Sequence, residues 1–204
     1  MTLTLYGGPR TRASIVRWYL EEKAIPYTLH SLDMQAGEHR QEPFLHINPF
    51  GKVPALVDHA FTGADGEPLR LFESGAILMH LAEHRGREFE GSGADAAVRR
   101  SLTAQWVLFA NATLAPALFL AESRPEELHR ILTALDSLLV PGLSLLAGVG
   151  GEVPWGAADC AVQATLAYIP LFLPRLDLSP WQAIGATIAA TGSRAAFRRA
   201  MDQP

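Results

Sequence analysis

The sequence predicts an α/β unit followed by an all-helical unit, within a chain of 204 residues. Three observations carry this prediction. Residues 1–85 alternate short strand-like and helix-like patterns, and residues 86–95, GREFEGSGAD, then lose hydrophobic density and gain glycine. Beyond them only helical periodicities are convincing. A hydrophobic fraction of 49% against 19% charged residues supports a packed core and excludes a disordered chain.

Each element follows from local pattern. TLTLY, residues 2–6, alternates polar and apolar positions, and GGPRTR after it reads as a turn. Residues 13–23 place Ile15, Val16, Trp18, Tyr19 and Leu20 at helical spacing until Pro26 interrupts the pattern. Tyr27 to Asp33 can form a second strand, and a parallel pair of this kind needs a helical crossover. Residues 34–50 read as irregular or weakly helical. Val53 to Val57 suits a strand, Asp65-Gly66 a tight connection, and Ala76 to Ala82 a helix opened by Glu73-Ser74 and ended by Gly86. In the second unit, residues 96–120, 125–147 and 157–173 carry long apolar periodicities, with shorter helices expected around 180–190 and 193–201. Pro116 is expected to kink the first of these.

Composition narrows the function. Divided at Arg85, the chain has 8 basic and 10 acidic residues before the cut and 9 and 11 after it, matching totals of 17 and 21. Both parts therefore carry −2, and no polycationic face for nucleic acid is expected. The single cysteine, Cys160, cannot form an internal disulfide or an all-cysteine metal site, which suggests a reducing compartment. The N-terminus carries Arg10 and Arg12 where a signal peptide would need an apolar core, and the uncharged runs 137–151 and 160–174 fall short of a ~20-residue span. A soluble cytoplasmic protein, with no membrane and no nucleic acid among its partners, is expected.

The strongest local signal is NPFGKVPALVD, residues 48–58, followed by LFESGAIL, residues 71–78. A proline at the head of a strand cannot donate a ladder bond. A cis Val53-Pro54 peptide would turn the backbone of Val53 toward solvent, free to pair with an extended peptide. Glu73-Ser74 at a helix N-terminus could then hold a carboxylate. The simpler reading is that Ser74 only caps its helix and Pro54 only ends a loop. Elsewhere, His80-Leu81-Ala82-Glu83-His84 fits the H-x-x-E-H zinc pattern, but the helix ends at Gly86 and no downstream acidic ligand is marked. A solvated last turn is expected there, with no metal. GSGADA, residues 91–96, follows a helix rather than a strand and reads as linker.

Taken together, LYGGPRTRASIVRWYLEEKAIPY, the GEH of residues 37–39, PFLHINPFGKVPALVD and FESGAILMHLAEHRG resemble the N-terminal thioredoxin-like domain of cytosolic glutathione transferases over residues 3–86. QWVLFANATLAPAL and the AAD of residues 157–159 resemble, more loosely, the helical domain of bacterial, especially cyanobacterial-type, members. The resemblance implies a thioredoxin-like glutathione-binding domain at 1–85, a linker at 86–93 and an all-helical domain at 94–204. It also implies that Val53, before Pro54, pairs with the cysteinyl backbone of glutathione, and that Glu73 and Ser74 hold its γ-glutamyl end. His39 and Lys52 match positions that reach its glycine carboxylate. Phe50 lies where related proteins carry a hydrophobic key for a partner subunit, so a homodimer is expected.

The resemblance breaks at the catalytic position. Related transferases place Tyr, Ser or Cys just after the first strand to stabilise or bond the glutathione sulfur, whereas Gly7-Gly8-Pro9-Arg10-Thr11-Arg12 stands there. Arg10, Thr11 and Arg12 are the candidates for that role, in which a guanidinium supplies positive field and Thr11 or a backbone N–H donates to the sulfur. Trp106 and Phe109, with Leu102 and Phe119, lie on a helix that in related enzymes lines the electrophile pocket. Asp159 matches the buried helix-capping aspartate, with Gly156 where the family has Ser or Thr. Cys160 beside it reads as inert packing. The function implied is conjugation of glutathione thiolate to small hydrophobic electrophiles, with no cofactor beyond glutathione as co-substrate. A glutathione-dependent disulfide reductase or peroxidase and a non-catalytic glutathione-binding module are the alternatives.

Overall fold

A computed structural model describes residues 2–8, 11–91, 93–149 and 155–201. Four strands, β1 (Leu3–Gly7), β2 (Thr28–Ser31), β3 (Ala55–Thr62) and β4 (Pro68–Phe72), form one mixed sheet in the order β2-β1-β3-β4. β1 and β2 are parallel, joined by the crossover helix α1 (Ala13–Glu22), while β3 runs antiparallel to both β1 and β4. Alternation along β1 sends Leu3 and Leu5 into the main core and Tyr6 to the opposite face, where its ring lies 5.9 Å from that of Phe44. Phe44 belongs to the short helix α2 (Phe44–Ile47), which follows a 3₁₀ turn at Glu38–Arg40. α3 (Ser74–His84) packs with α1 on the core face.

The helical region begins with α4 (Ala94–Phe109), which continues through a π-helical turn, Ala110–Leu114, into α5 (Ala115–Phe119). The expected distortion at Pro116 takes this form: proline cannot donate to the carbonyl four residues back, and the ladder widens in the turn before it. The run Ala94–Phe119 is long and apolar enough to cross a membrane by length and composition, because its charges are confined to its first turns. That differs from the expectation drawn from uncharged runs. Thr103, Val107 and Leu114 are nonetheless buried in the protein core.

α6 (Pro125–Asp136) is shorter than the expected 125–147, since Pro141-Gly142 breaks an otherwise helical leucine pattern and Gly142 takes φ 82°. α7 (Ala157–Ala167) is buried on all sides from Ala157 to Leu166, as an apolar helix at the centre of a core must be. Its neighbours α8 (Ile169–Phe172) and α9 (Gln182–Ser193) follow in sequence, and α7 packs against α1, α3, α4 and α9. α10 (Ala195–Met201) lies against α1. One hydrophobic cluster, from Leu3 and Trp18 through Leu78 to Cys160 and Ile184, runs through both the α/β and the helical regions.

Candidate functional site

The turn after β1, the loop before β3 and the start of α3 meet around a cleft of about 500 Å³. Its walls include Arg12, Lys52, Val53, Pro54, Glu73 and Ser74. These six candidates, separated by up to 62 positions in sequence, thus share one surface. Arg10 lies outside the described residues. His39 is not part of this wall: it sits in the 3₁₀ turn, buried, and its Nδ1 has no hydrogen-bond partner among the described residues.

Local chemistry shapes each wall. The Val53-Pro54 bond is cis, and the half-buried Val53 stands outside the ladder, ahead of the first residue of β3. The preceding loop is folded around Asn48, a residue that the sequence motifs do not single out. Its Nδ2 donates to the Lys52 carbonyl at 2.7 Å and its Oδ1 accepts from the Phe50 N–H at 3.1 Å. Asn-Pro before Phe-Gly was the available signal, a turn closed by the asparagine side chain. Gly51 has φ +59°, and a Cβ there would come within 2.9 Å of the His39 carbonyl, so the loop needs glycine.

At α3, Glu73 is the residue before the helix and adopts φ 68°, ψ 117°, a conformation costing roughly 1–3 kcal/mol for a non-glycine residue. No side chain caps this helix among the described residues. Ser74 is its first helical residue, and its hydroxyl donates to Asn111 Oδ1 at 3.1 Å instead of capping. The backbone N–H groups of the first turn therefore face the cleft end without a capping side chain.

At α1, Gly7 lies against the Cβ of Ala13, which seats the end of the strand directly on the start of the helix. Thr11 Oγ1 donates to the Gly8 carbonyl at 2.8 Å and accepts from the Ala13 N–H at 3.3 Å. Its proton is thus committed within the turn. Ser14 Oγ donates to the Thr11 carbonyl at 2.9 Å, so its 3.1 Å bond with Tyr168 takes its proton from the tyrosine. Arg12 is half-buried rather than a solvated loop charge, and its Nη1 donates to Asn111 Oδ1 at 3.1 Å.

Arg12 also borders a second, small apolar pocket of about 20 Å³, formed with Leu118, Phe119, Tyr168, Ile169 and Phe172 of the helical region. Burial holds the Tyr168 phenol above its ordinary value, against the opposing influence of the Arg12 charge. Trp106 and Phe109 are not in this wall; half-buried and edge-to-face at 5.6 Å, they pack against the core instead.

The remaining sequence motifs are occupied otherwise. His80 bonds the buried Asp58 at 3.0 Å, Arg85 pairs with the same carboxylate, and Glu83 pairs with Arg100 at 2.7 Å. Phe61 stacks against both His80 and His84. Cys160 is fully buried, and burial pushes its thiol well above the ordinary value.

Comparison with known proteins adds a family to this geometry. The family model for the glutathione S-transferase N-terminal domain matches residues 1–83. The chain is 37% identical over 116 residues to the disulfide-bond oxidoreductase YfcG of Escherichia coli (strain K12), covering 57% of the chain and 52% of that protein. It is 38% identical over 108 residues to a glutathione S-transferase of Silene vulgaris, covering 52% and 46%. The alignments thus span about half the length of these curated relatives. A crystal structure of a glutathione transferase from Burkholderia graminis, with two glutathione molecules bound per subunit, superposes with a TM-score of 0.77 at 26% identity, covering 100% of this chain and 88% of that one. With a thioredoxin-like sheet in front and a helical region behind, residues 1–83 belong to the glutathione S-transferase N-terminal domain family and the chain as a whole has the glutathione transferase fold.

Proposed function

We propose that this protein binds glutathione in the 500 Å³ cleft and directs its thiolate onto an apolar electrophile. In this reading the free backbone of Val53 pairs with the cysteinyl unit, the first turn of α3 with Glu73 and Ser74 receives the γ-glutamyl end, and Lys52 faces the glycine carboxylate. The observation that carries the reading is the position of Arg12, which borders both the polar cleft and the apolar pocket. Sulfur and electrophile would meet beside one guanidinium. A cysteine-type thiol has a pKa near ~8.5, and lowering it to about 6.5 takes roughly 2.7 kcal/mol of preferential thiolate stabilisation. A half-buried guanidinium at the N-terminus of α1 can supply charge-assisted bonding of that order. Thr11, its proton donated to Gly8, contributes by holding the turn that presents Arg12. Phe50, two-thirds exposed and 5.3 Å from the Phe72 ring, offers the apolar edge for a homodimer.

The test is the pH profile of turnover with an activated aryl chloride. Arg12→Ala is expected to raise the apparent pKa of kcat/KM by about one unit or more. An unchanged profile sinks the role of Arg12, and failure of the wild type to bind glutathione in calorimetry sinks the whole reading. A second reading, glutathione-dependent disulfide reduction, is favoured by the likeness to YfcG, a disulfide-bond oxidoreductase. Faster turnover of a small disulfide than of aryl chloride or isothiocyanate would select it.

A further inference from the structure

The function proposed above uses Arg12 at the sulfur and Ser74 at the γ-glutamyl end of one ligand, yet in the structure both donate to a single atom. That atom is Asn111 Oδ1, 3.1 Å from Arg12 Nη1 and 3.1 Å from Ser74 Oγ. Asn111 belongs to neither the cleft wall nor the thioredoxin-like region; it lies in the π-helical turn between α4 and α5, 99 residues after Arg12. Asparagine has only modest helix propensity, so its presence in the apolar stretch VLFANATLAPAL calls for a local reason.

The geometry supplies one. Asn111 Nδ2 donates to the Val107 carbonyl at 2.9 Å, which fixes the amide orientation and leaves Oδ1 facing the other region. Glycine at residue 75 eases the approach: a Cβ there would stand a tight 3.1 Å from both Asn111 Nδ2 and Val107 Cγ1. A widened π turn, a glycine opposite it and a fixed amide therefore converge on one shared acceptor.

The consequences differ for the two donors. A free arginine side chain samples many rotamers, and binding must remove that freedom. Held by Asn111, the Arg12 guanidinium is already fixed where the cleft and the apolar pocket meet, with its other N–H groups available to a ligand. Ser74 has one hydroxyl proton, and it is spent on Asn111. Its oxygen is left as an acceptor, suited to an ammonium or N–H group of the ligand, while backbone N–H groups of α3 take the carboxylate. We propose that Asn111 is a positioning residue that preorganises Arg12 and Ser74 together for glutathione.

This inference rests on the glutathione reading, and a double-mutant cycle separates the two. Kd for glutathione and kcat with an aryl chloride are measured for the wild type, Asn111→Ala, Arg12→Ala and the double variant. Losing a hydrogen bond to a charged group predicts that Asn111→Ala weakens binding or turnover roughly ten- to hundredfold, and that most of this loss disappears in the Arg12→Ala background. A structural role alone would leave the same loss in both backgrounds. Equal losses, or none, overturn the proposal while the glutathione reading stands. Absence of glutathione binding by the wild type overturns both. Should Asn111→Ala fail to fold, Asn111→Thr replaces it in the cycle: its hydroxyl can satisfy the Val107 carbonyl but cannot bridge Arg12 and Ser74.

Discussion

Asp159 shows how one buried carboxylate can organise a distant segment and leave a signature in pH. Only 1% exposed, it accepts from the Leu145 N–H at 2.7 Å, the Ser144 hydroxyl at 2.8 Å and the Gly156 N–H at 2.9 Å. Burial pushes its pKa up from 3.8 to about 6 and outweighs these donors, which pull the other way. The sign follows: the unfolded chain ionises first as pH rises from about 4, so the folded state loses up to about 3 kcal/mol of relative stability by the time pH has passed 6. Asp159→Asn removes this dependence along with some of the acceptor bonds. The stability deficit of the variant, from urea melts, is therefore expected to be largest near pH 4 and to shrink toward pH 7; a pH-independent deficit would show that the carboxylate is ionised throughout. Its structural character was implied in the sequence by the resemblance of residues 157–159 to the family's helix-capping motif, although Gly156 stands where the capping hydroxyl would be. Its partners were not, since residues 144 and 145 fall within the leucine periodicity that reads as one helix over 125–147, whereas the helix ends at Asp136.

The start of α7 explains a departure from the family pattern as an exchange between elements. Where relatives carry Ser or Thr, Gly156 stands, and the Glu88 carboxylate from the segment between α3 and α4 receives the Ala157 N–H at 3.1 Å. Lys23, after α1, lies 3.6 Å from the same carboxylate. A Cβ at position 156 would come within 2.8 Å of Glu88 Cδ, so a side chain there has to displace the glutamate from the cap. Gly156→Ser, which restores the family residue, is accordingly expected to destabilise the protein by roughly 2 kcal/mol by expelling Glu88. Glu88→Ala should cost roughly 2–4 kcal/mol, because it leaves a helix terminus uncapped and a nearly buried lysine unpaired. The double variant should cost less than the sum, as the serine can then cap locally; additive losses in chemical denaturation would refute the exchange. The glycine itself was visible in the sequence. That its substitute was a glutamate 68 positions earlier was not.

At the scale of the whole molecule, what could be read from the sequence and what could not divide by distance along the chain. The β-α-β and β-β-α order and the helical second region were legible, and the motifs holding Val53, Glu73 and Ser74 stood out, because periodicity, turn residues and short motifs are local; that these three line one cleft took the structure. The joining of the two regions was not legible: Asn111 to Arg12 and Arg194 to Glu22 span 99 and 172 positions. The second of these belongs to a seam that closes the chain on itself. Arg194 pairs with Glu22, Arg199 Nε donates to Glu21 at 2.8 Å, and the Phe197 ring meets the fully buried Trp18 edge-on at 5.0 Å. α10 thus covers the face of α1 that carries Trp18, and Arg12 stands just before the start of α1. A stop codon after Arg194 would remove the Phe197 and Arg199 contacts while leaving every residue of the cleft in place. Uncovering Trp18 and losing the half-buried Phe197 should cost roughly 2–3 kcal/mol in apolar burial. Tryptophan emission should move to longer wavelength as Trp18 meets water, and the melting midpoint should fall with it. If α1 owes its position to the sheet and α7 alone, emission and midpoint will both stay at their wild-type values, and the seam is then only a surface contact.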